Sequence, residues 1–175
     1  REELVKIFRE YGDMSDARRV ALAVESAREQ QLIETTTELA RIVSQARKQS
    51  YHQRKHPATT AFQALRIYVN REYEHLSRFL EASLDCLNVG GRIAVVSFHS
   101  GEDRRVKEFF RRNARGCICP EEFPLCQCHR EAVLELPQQR FVRPSPEECQ
   151  RNPRARSALF RGARKKTQNI QYEER

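Results

Sequence analysis

Polar side chains follow an apolar, strand-like run near the middle of the sequence. In GGRIAVVSFHSGEDRRVKEFF, residues 90–110, a run rich in Ile and Val ends at Ser97, and His99 and Ser100 follow closely. A strand that is apolar on both faces is typical of a parallel sheet covered by helices. Ligands of such sheets lie outside the carboxyl ends of the strands, so we expect these three side chains to face a ligand. The alternative is that they only tie the strand end to its surroundings and cap the next helix.

A second group of reactive side chains is a run of cysteines. The segment CICPEEFPLCQCH places Cys117, Cys119, Cys126 and Cys128 within twelve residues. Four thiolates could close a tetrahedral zinc site that clips a loop, a structural role and not a catalytic one. The C-x-C spacing differs from the commoner C-x-x-C. The alternatives are unbound thiols, or a disulfide-linked loop, which a reducing cytosol disfavours.

Basic residues dominate the charge. The net charge of +8 favours an acidic partner, with nucleic acid the first candidate. Positive charge gathers in residues 47–56 and again in RNPRARSALFRGARKK, residues 151–166, where seven of sixteen residues are Arg or Lys and none is acidic. Charge runs also occur as simple solvated faces. No apolar run approaches a membrane span and no signal peptide opens the sequence, so we expect a cytoplasmic protein without a membrane partner.

The elements that must position these groups differ between the two halves of the sequence. Apolar periodicity predicts helices up to residue 46, and Thr35 with Glu38 forms a capping-box pattern. The basic segment that follows breaks the periodicity and marks a domain boundary near residue 52. Residues 57–87 are predicted to form two helices or one bent helix, and Ser100 is predicted to cap the helix after the apolar strand.

Beyond the cysteines, two antiparallel strands are predicted in AVLELPQQRFV and RSALFRGARKK, as an edge hairpin over residues 132–166. Between them Ser145, Pro146 and Glu148 indicate a short capped helix. One apolar strand and one hairpin make an incomplete sheet of an α/β domain. We therefore expect the missing neighbours of the strand to lie upstream of residue 1.

Several long motifs, taken together and in order, resemble one known family. HPATTAFQALRIYVNRE, SFHSGEDRRVKEFF and NPRARSALFR, preceded by ARRVALAVESAR and IETTTELARIV, are similar to the C-terminal part of the MraW/RsmH family. Members of that family are S-adenosylmethionine-dependent methyltransferases of the N4 amino group of a cytosine in 16S ribosomal RNA. The resemblance runs from about residue 4 to residue 166.

The resemblance implies the C-terminal portion of a Rossmann-like class I methyltransferase fold, with an incomplete sheet, plus part of an inserted α-helical domain. Residues 1–52 would be the later part of that RNA-recognition insertion. Residues 53–175 would be the C-terminal half of the methyltransferase domain, with the cysteine-rich loop at 116–130. The family binds S-adenosylmethionine mainly through its N-terminal half, so no cofactor-binding residue is expected in this segment, which alone should be inactive.

The resemblance also assigns roles to the candidate residues. Ser97, His99 and Ser100 would line the pocket of the target cytidine, because methyl transfer to an amine needs an oriented base. The basic side chains would contact phosphates of 16S ribosomal RNA in the small ribosomal subunit. These candidate RNA contacts are Lys55, His56, Arg66, Arg154, Arg156, Arg161 and Arg164. Arg154 or Arg156 could instead anchor an internal carboxylate. Homodimerisation is left open.

Three positions depart from the family pattern. Thr60 stands where an Arg is usual, Ala61 stands where a Thr is usual, and Gly101 stands where a Leu is usual. A second interpretation is a non-enzymatic RNA-binding module whose cysteine loop holds zinc. Such a module has no need of a fully apolar strand, which favours the enzyme fragment.

Overall fold

The computed structural model describes residues 1–47, 56–117, 119, 120, 123, 125, 127, 128 and 131–167. The helices are α1 (Glu2–Glu10), α2 (Ala17–Gln30), α3 (Thr36–Ala46), α4 (Thr59–Val69), α5 (Glu72–Cys86), α6 (Ser100–Ala114) and α7 (Pro146–Arg151). The strands are β1 (Arg92–Ser97), β2 (Leu134–Glu135) and β3 (Leu159–Lys165), with a 3₁₀ helix at Pro153–Ser157. No helix in the described part of the chain is long and apolar enough to cross a membrane.

The chain divides into two compact units, Arg1–Glu72 and Tyr73–Arg175. The first unit is helical, and its core is built from the apolar faces of α1 to α4, with Phe8, Val20 and Val43 fully buried. Small residues allow α4 to pack closely on this core. The sequence placed the domain boundary near residue 52, and that assignment stays a prediction.

Local capping signals are confirmed by the geometry of the helix ends. The Thr35 hydroxyl accepts from the Glu38 amide at 3.2 Å, and the Glu38 carboxylate accepts from the Thr35 amide at 3.1 Å. Ser145 caps α7 in the same way, accepting from the Glu148 amide at 3.2 Å. The segment after Pro57 forms two helices, separated at Arg71, whose φ of 51° interrupts the helical backbone.

The second unit contains a three-stranded sheet in the order β1-β3-β2. Both β1 and β2 pair antiparallel with β3, so β1 and β2 run in the same direction. The sequence predicted parallel neighbours for β1 upstream of residue 1, and this stays a prediction. Among the described residues the partner of β1 is the antiparallel β3. The two strands predicted within residues 132–166 pair antiparallel as β2 and β3, with the predicted short helix α7 between them in sequence. The pair lies at one edge of the described sheet, with β2 outermost and β3 next to β1.

The helices of this unit pack against one face of the sheet. Ile93 of β1 and Ala163 of β3 are register partners and lie in one apolar cluster with Leu80, Val106 and Phe110 of α5 and α6. The register partners Val96 and Phe160 point to the opposite face, where they are 52% and 42% exposed. The expectation that β1 is covered on both faces is therefore not met within the described residues, since helices cover one face alone.

The turn into β1 explains the Gly-Gly pair of the sequence. Gly90 has a φ of 86°, a conformation that favours glycine, and its amide donates to the carbonyl of Lys165 at 2.8 Å. The Lys165 side chain, only 2% exposed, donates from Nζ to the carbonyls of Leu84 and Leu87 at 2.5 and 2.8 Å. This ammonium group satisfies carbonyls at the C-terminal end of α5 and joins that helix to β3.

Candidate functional site

The candidate site is the turn between the carboxyl end of β1 and the first turn of α6. The backbone of His99 is extended, and its Nδ1 accepts a hydrogen bond from the Glu102 amide at 3.4 Å. His99 is therefore the N-cap, and Ser100 is the first helical residue. The predicted cap at Ser100 is wrong, because capping requires the extended residue that precedes the helix.

Glu102 completes a reciprocal arrangement with His99. Its Oε2 accepts from the Phe98 amide at 3.0 Å, and its Oε1 lies 3.0 Å from His99 Nε2. That contact has the distance of an ion pair but not the geometry of a hydrogen bond, so Nε2 is buried without a directed partner. Burial raises the pKa of the Glu102 carboxyl, but the adjacent His99 ring and the hydrogen bond from the Phe98 amide outweigh it and leave the pKa lowered. The carboxylate thus fixes both the imidazole and the backbone of the turn.

Asp103 ties the same helix turn to the middle strand of the sheet. Its carboxylate accepts from Arg161 Nε at 2.6 Å and from Nη2 at 2.9 Å, and the two side chains are only 14% and 10% exposed. Arg161 also donates to the carbonyl of Arg140 at 3.0 Å. Arg161 was predicted to contact RNA phosphate. The structure gives it an internal role instead, because its fork already binds a carboxylate inside the unit.

Gly101 and Tyr73 share the space beneath the turn. A Cβ at Gly101 would overlap the Tyr73 hydroxyl and lie 2.8 Å from ring carbon Cζ. The guanidinium of Arg105 lies 3.4 Å from the centre of the Tyr73 ring and donates to the Gly101 carbonyl at 3.1 Å. The departure from Leu at position 101 therefore has a physical reason in this chain, since a tyrosine occupies the volume.

The three predicted site residues lie together but differ in access. Ser97 is 3% exposed, the His99 side chain is 14% exposed, and Ser100 lies on the surface. Sequence reasoning missed Phe98, which is 53% exposed at the tip between them. An exposed aromatic ring can stack on a nucleobase. The signal was available in the sequence, because Phe98 alternates with the buried residues of β1.

The candidate RNA contacts in the second unit are dispersed. Arg154 and Arg156 are exposed on the 3₁₀ helix. Arg164 is 58% exposed on β3 and lies 3.8 Å from the equally exposed carboxylate of Glu135, a pair of little strength. All three of these guanidinium groups are accessible to solvent.

In the helical unit, Arg66 is exposed and binds Glu72 through two hydrogen bonds of 2.8 and 3.1 Å. His56 is exposed and accepts from the Ala58 amide at 3.2 Å. Lys55 lies outside the described residues. An Arg is usual at position 60, and here the guanidinium of Arg47 donates to the Thr60 hydroxyl at 2.6 Å, so a positive group still lies at this position.

Sequence reasoning also missed a basic groove beside the sheet. Its volume is about 510 Å³, and four of its lining side chains are positively charged against one acid, Glu135. These four are Arg111, Arg115, Arg140 and Lys166. These residues lie far apart in the sequence, so no single run of basic residues predicts the groove.

Three of the four predicted metal ligands converge. The Sγ atoms of Cys117, Cys119 and Cys128 all lie within 4.8 Å of one another. Cys126, the fourth, lies outside the described residues.

Comparison with known proteins identifies the family of this chain. The model of the MraW methylase family matches residues 1–166. The chain belongs to the MraW methylase family. Among its curated relatives, the ribosomal RNA small subunit methyltransferase H of Thermomicrobium roseum is 48% identical over 162 residues, covering 93% of this chain and 49% of that protein. The proteins of the same name from Syntrophotalea carbinolica and Desulforapulum autotrophicum are 47% and 49% identical, covering 94% and 91% of this chain and 52% of each relative. The chain thus spans about half the length of the curated relatives it matches.

Proposed function

We propose that this chain is the C-terminal part of an S-adenosylmethionine-dependent methyltransferase that modifies the N4 amino group of a cytosine in 16S ribosomal RNA. Membership of the MraW methylase family supports the reaction class, and the names of the relatives support the small-subunit RNA. The observation that carries the proposal is the turn after β1, where Phe98, His99 and Ser100 lie at a strand end held by Glu102 and Asp103.

The turn suits the wall of a base-binding pocket. Methyl transfer to an amine needs no covalent protein intermediate, so positioning of the acceptor supplies most of the catalysis. A cytosine must leave its stack to react, and the exposed ring of Phe98 offers a stacking surface. Ser100 is accessible to a ligand, while the buried Ser97 supports the turn from within. The His99 ring is held in place by Glu102 at both of its nitrogens.

The described residues do not fit S-adenosylmethionine. No glycine-rich turn follows a strand in this part of the structure. The two carboxylates near the strand end are already held by His99, Phe98 and Arg161. We therefore propose that the residues that bind the cofactor belong to the half of the relatives that this chain does not match.

The exposed sheet face supports a larger Rossmann-like domain. Val96 and Phe160 leave an apolar strip on the face that α5 and α6 do not cover. Large exposed apolar surfaces mark contacts with other elements. We propose that further elements of the catalytic domain cover this face and pair with β1. Residues 1–52 would then belong to an inserted RNA-recognition domain, and the enzyme would act in the cytoplasm.

Phosphate contacts fit the basic groove and the 3₁₀ helix. The groove holds Arg111, Arg115, Arg140 and Lys166 on one surface, and Arg154 and Arg156 are exposed. Arginine binds phosphate through paired N–H donors and needs no particular base sequence to do so. We propose that these groups hold the RNA backbone while the turn after β1 receives the base.

A chimera tests the proposal. The half of the Thermomicrobium roseum relative that this chain does not match is fused to the chain, and small subunits from a strain without the modification serve as substrate. Nucleoside mass spectrometry of the 16S RNA should detect N4-methylcytidine with the chimera and S-adenosylmethionine. Methylation of another base or another RNA, or RNA binding without any methyl transfer by a folded chimera, would contradict the proposed function.

A matched pair of variants tests the role of the turn. Phe98→Ala in the chimera should lower kcat/KM about 10- to 100-fold, because loss of base stacking costs about 1–3 kcal/mol. Phe79→Ala removes an equally exposed ring, 59% accessible, from α5 and should leave kcat/KM within about twofold. Equal effects of the two changes would remove Phe98 from the site.

A further inference from the structure

We propose that Cys117, Cys119 and Cys128 bind a zinc ion that fixes the loop between α6 and β2. This site is structural and does not depend on the proposed methyltransferase reaction. Cys128 Sγ lies 3.8 Å from Cys117 Sγ, and all three sulfur atoms lie within 4.8 Å of one another. A disulfide needs sulfurs about 2.05 Å apart. Tetrahedral zinc, with Zn–S bonds of about 2.3 Å, separates its sulfurs by about 3.8 Å.

Backbone amides are aimed at the sulfur atoms. The Cys119 amide donates to Cys117 Sγ at 3.4 Å, and the Gln127 amide donates to Cys119 Sγ at 3.4 Å. Zinc binds cysteine in its thiolate form, and three thiolates this close would repel one another without a cation between them. Each thiol that binds zinc releases its proton to solvent.

The described residues of the loop show how its two ends meet and which of its apolar side chains are exposed. Its two ends are joined, because the Val133 amide donates to the Asn113 carbonyl at 2.9 Å. Between these points the described apolar side chains face solvent, Phe123 being 47% and Leu125 78% exposed. A bound metal would order such a loop, and metal-binding free energy then becomes folding free energy.

Zinc is the metal that fits the ligands best. Thiolates select zinc, copper(I) or iron–sulfur clusters. An iron–sulfur cluster would space its cysteines around several iron atoms, whereas the 3.8 Å between the sulfurs of Cys117 and Cys128 matches the edge of one tetrahedron. Cys126 belongs to the same run in the sequence but lies outside the described residues, and the proposal rests on the other three.

The metal content of the purified 175-residue chain tests the proposal. The chain is prepared under reducing conditions without a metal-binding tag, and its metals are measured by inductively coupled plasma mass spectrometry. We expect about one zinc per chain. A variant with Cys117, Cys119 and Cys128 all changed to Ser should lose it at least tenfold. The matched control, with Cys86 and Cys149 changed to Ser, should keep it.

A second measurement tests the proposal even if the variant without the three cysteines fails to fold. Cobalt(II) added to the metal-free parent chain should produce an intense sulfur-to-cobalt charge-transfer band that equimolar zinc abolishes. Chelation should speed proteolysis within residues 115–132 while far-ultraviolet circular dichroism of the rest is retained. Less than about 0.1 zinc per parent chain with no cobalt band, equal zinc loss in the control, or an intact mass that shows a disulfide would overturn the proposal.

Discussion

The buried pair of Arg161 and Asp103 should contribute strongly to the stability of the second unit. Arg161→Met leaves the Asp103 carboxylate without its two donors at a position only 14% exposed. Removing one partner of a buried ion pair costs about 3–5 kcal/mol, because an uncompensated charge remains in the protein. With a urea m-value of about 2 kcal/mol per molar, a cost of about 3 kcal/mol lowers the unfolding midpoint by about 1.5 M.

Urea unfolding followed by circular dichroism measures this shift, and hydrogen exchange in peptides of α6 and β3 assigns it to the second unit. Arg164→Met is the matched control, since Arg164 lies on the same strand but is 58% exposed and pairs loosely with Glu135 at 3.8 Å. The control should cost less than about 1 kcal/mol. In the double variant Arg161→Met with Asp103→Leu no charge is stranded, so the loss should be smaller than the sum of the two single losses by about 1.5–3 kcal/mol.

Two results would refute this reasoning. If Arg161→Met and Arg164→Met shift the midpoint equally, burial does not decide the strength of these pairs. If the double variant shows simple additivity, the two side chains do not act on each other. In either case Arg161 would return to the set of candidate RNA contacts.

Two further changes test the packing and the electrostatics of the turn. Gly101→Ala should destabilise the chain by about 1–3 kcal/mol in urea unfolding, because the new methyl group meets the Tyr73 ring. The penalty should shrink in a Tyr73→Leu background. An unchanged penalty would contradict the inference that Gly101 and Tyr73 share this space. Glu102 has a folded pKa below its usual 4.5, so its stabilising contribution is complete above that value and is lost as the pH falls through the folded pKa. Glu102→Gln should therefore flatten the loss of stability between about pH 5 and pH 3, whereas Glu108→Gln, at an exposed site of the same helix, should follow the parent.

Local features of the fold were predictable from the sequence. The capping box of Thr35 and Glu38 and the cap at Ser145 were found because donor and acceptor lie three residues apart. The position of β1 was predicted because a run rich in Ile and Val between a Gly-Gly turn and a polar segment is typical of a buried strand. Such signals can be recognised in the sequence because they depend on neighbouring residues and not on tertiary packing.

The errors lie where distant residues decide the structure. An apolar strand does not record the direction of its partner, so the antiparallel β3 beside β1 could not be inferred. Arg161 meets Asp103 across a separation of 58 residues, which no charge pattern reveals. Segment 153–157 is a 3₁₀ helix because Asn152 caps it, its side chain accepting from the Arg154 amide at 3.2 Å.

The remaining conflict between sequence and structure lies in β1 itself. Its sequence is apolar on both faces, yet the face that carries Val96 is exposed beside Phe160 of the neighbouring strand. An independent RNA-binding module would gain solubility from polar residues at these positions, because nothing would cover them. In a catalytic domain with further elements the same residues become core. The apolar face therefore favours the enzyme over the binding module, on grounds that do not depend on the family match.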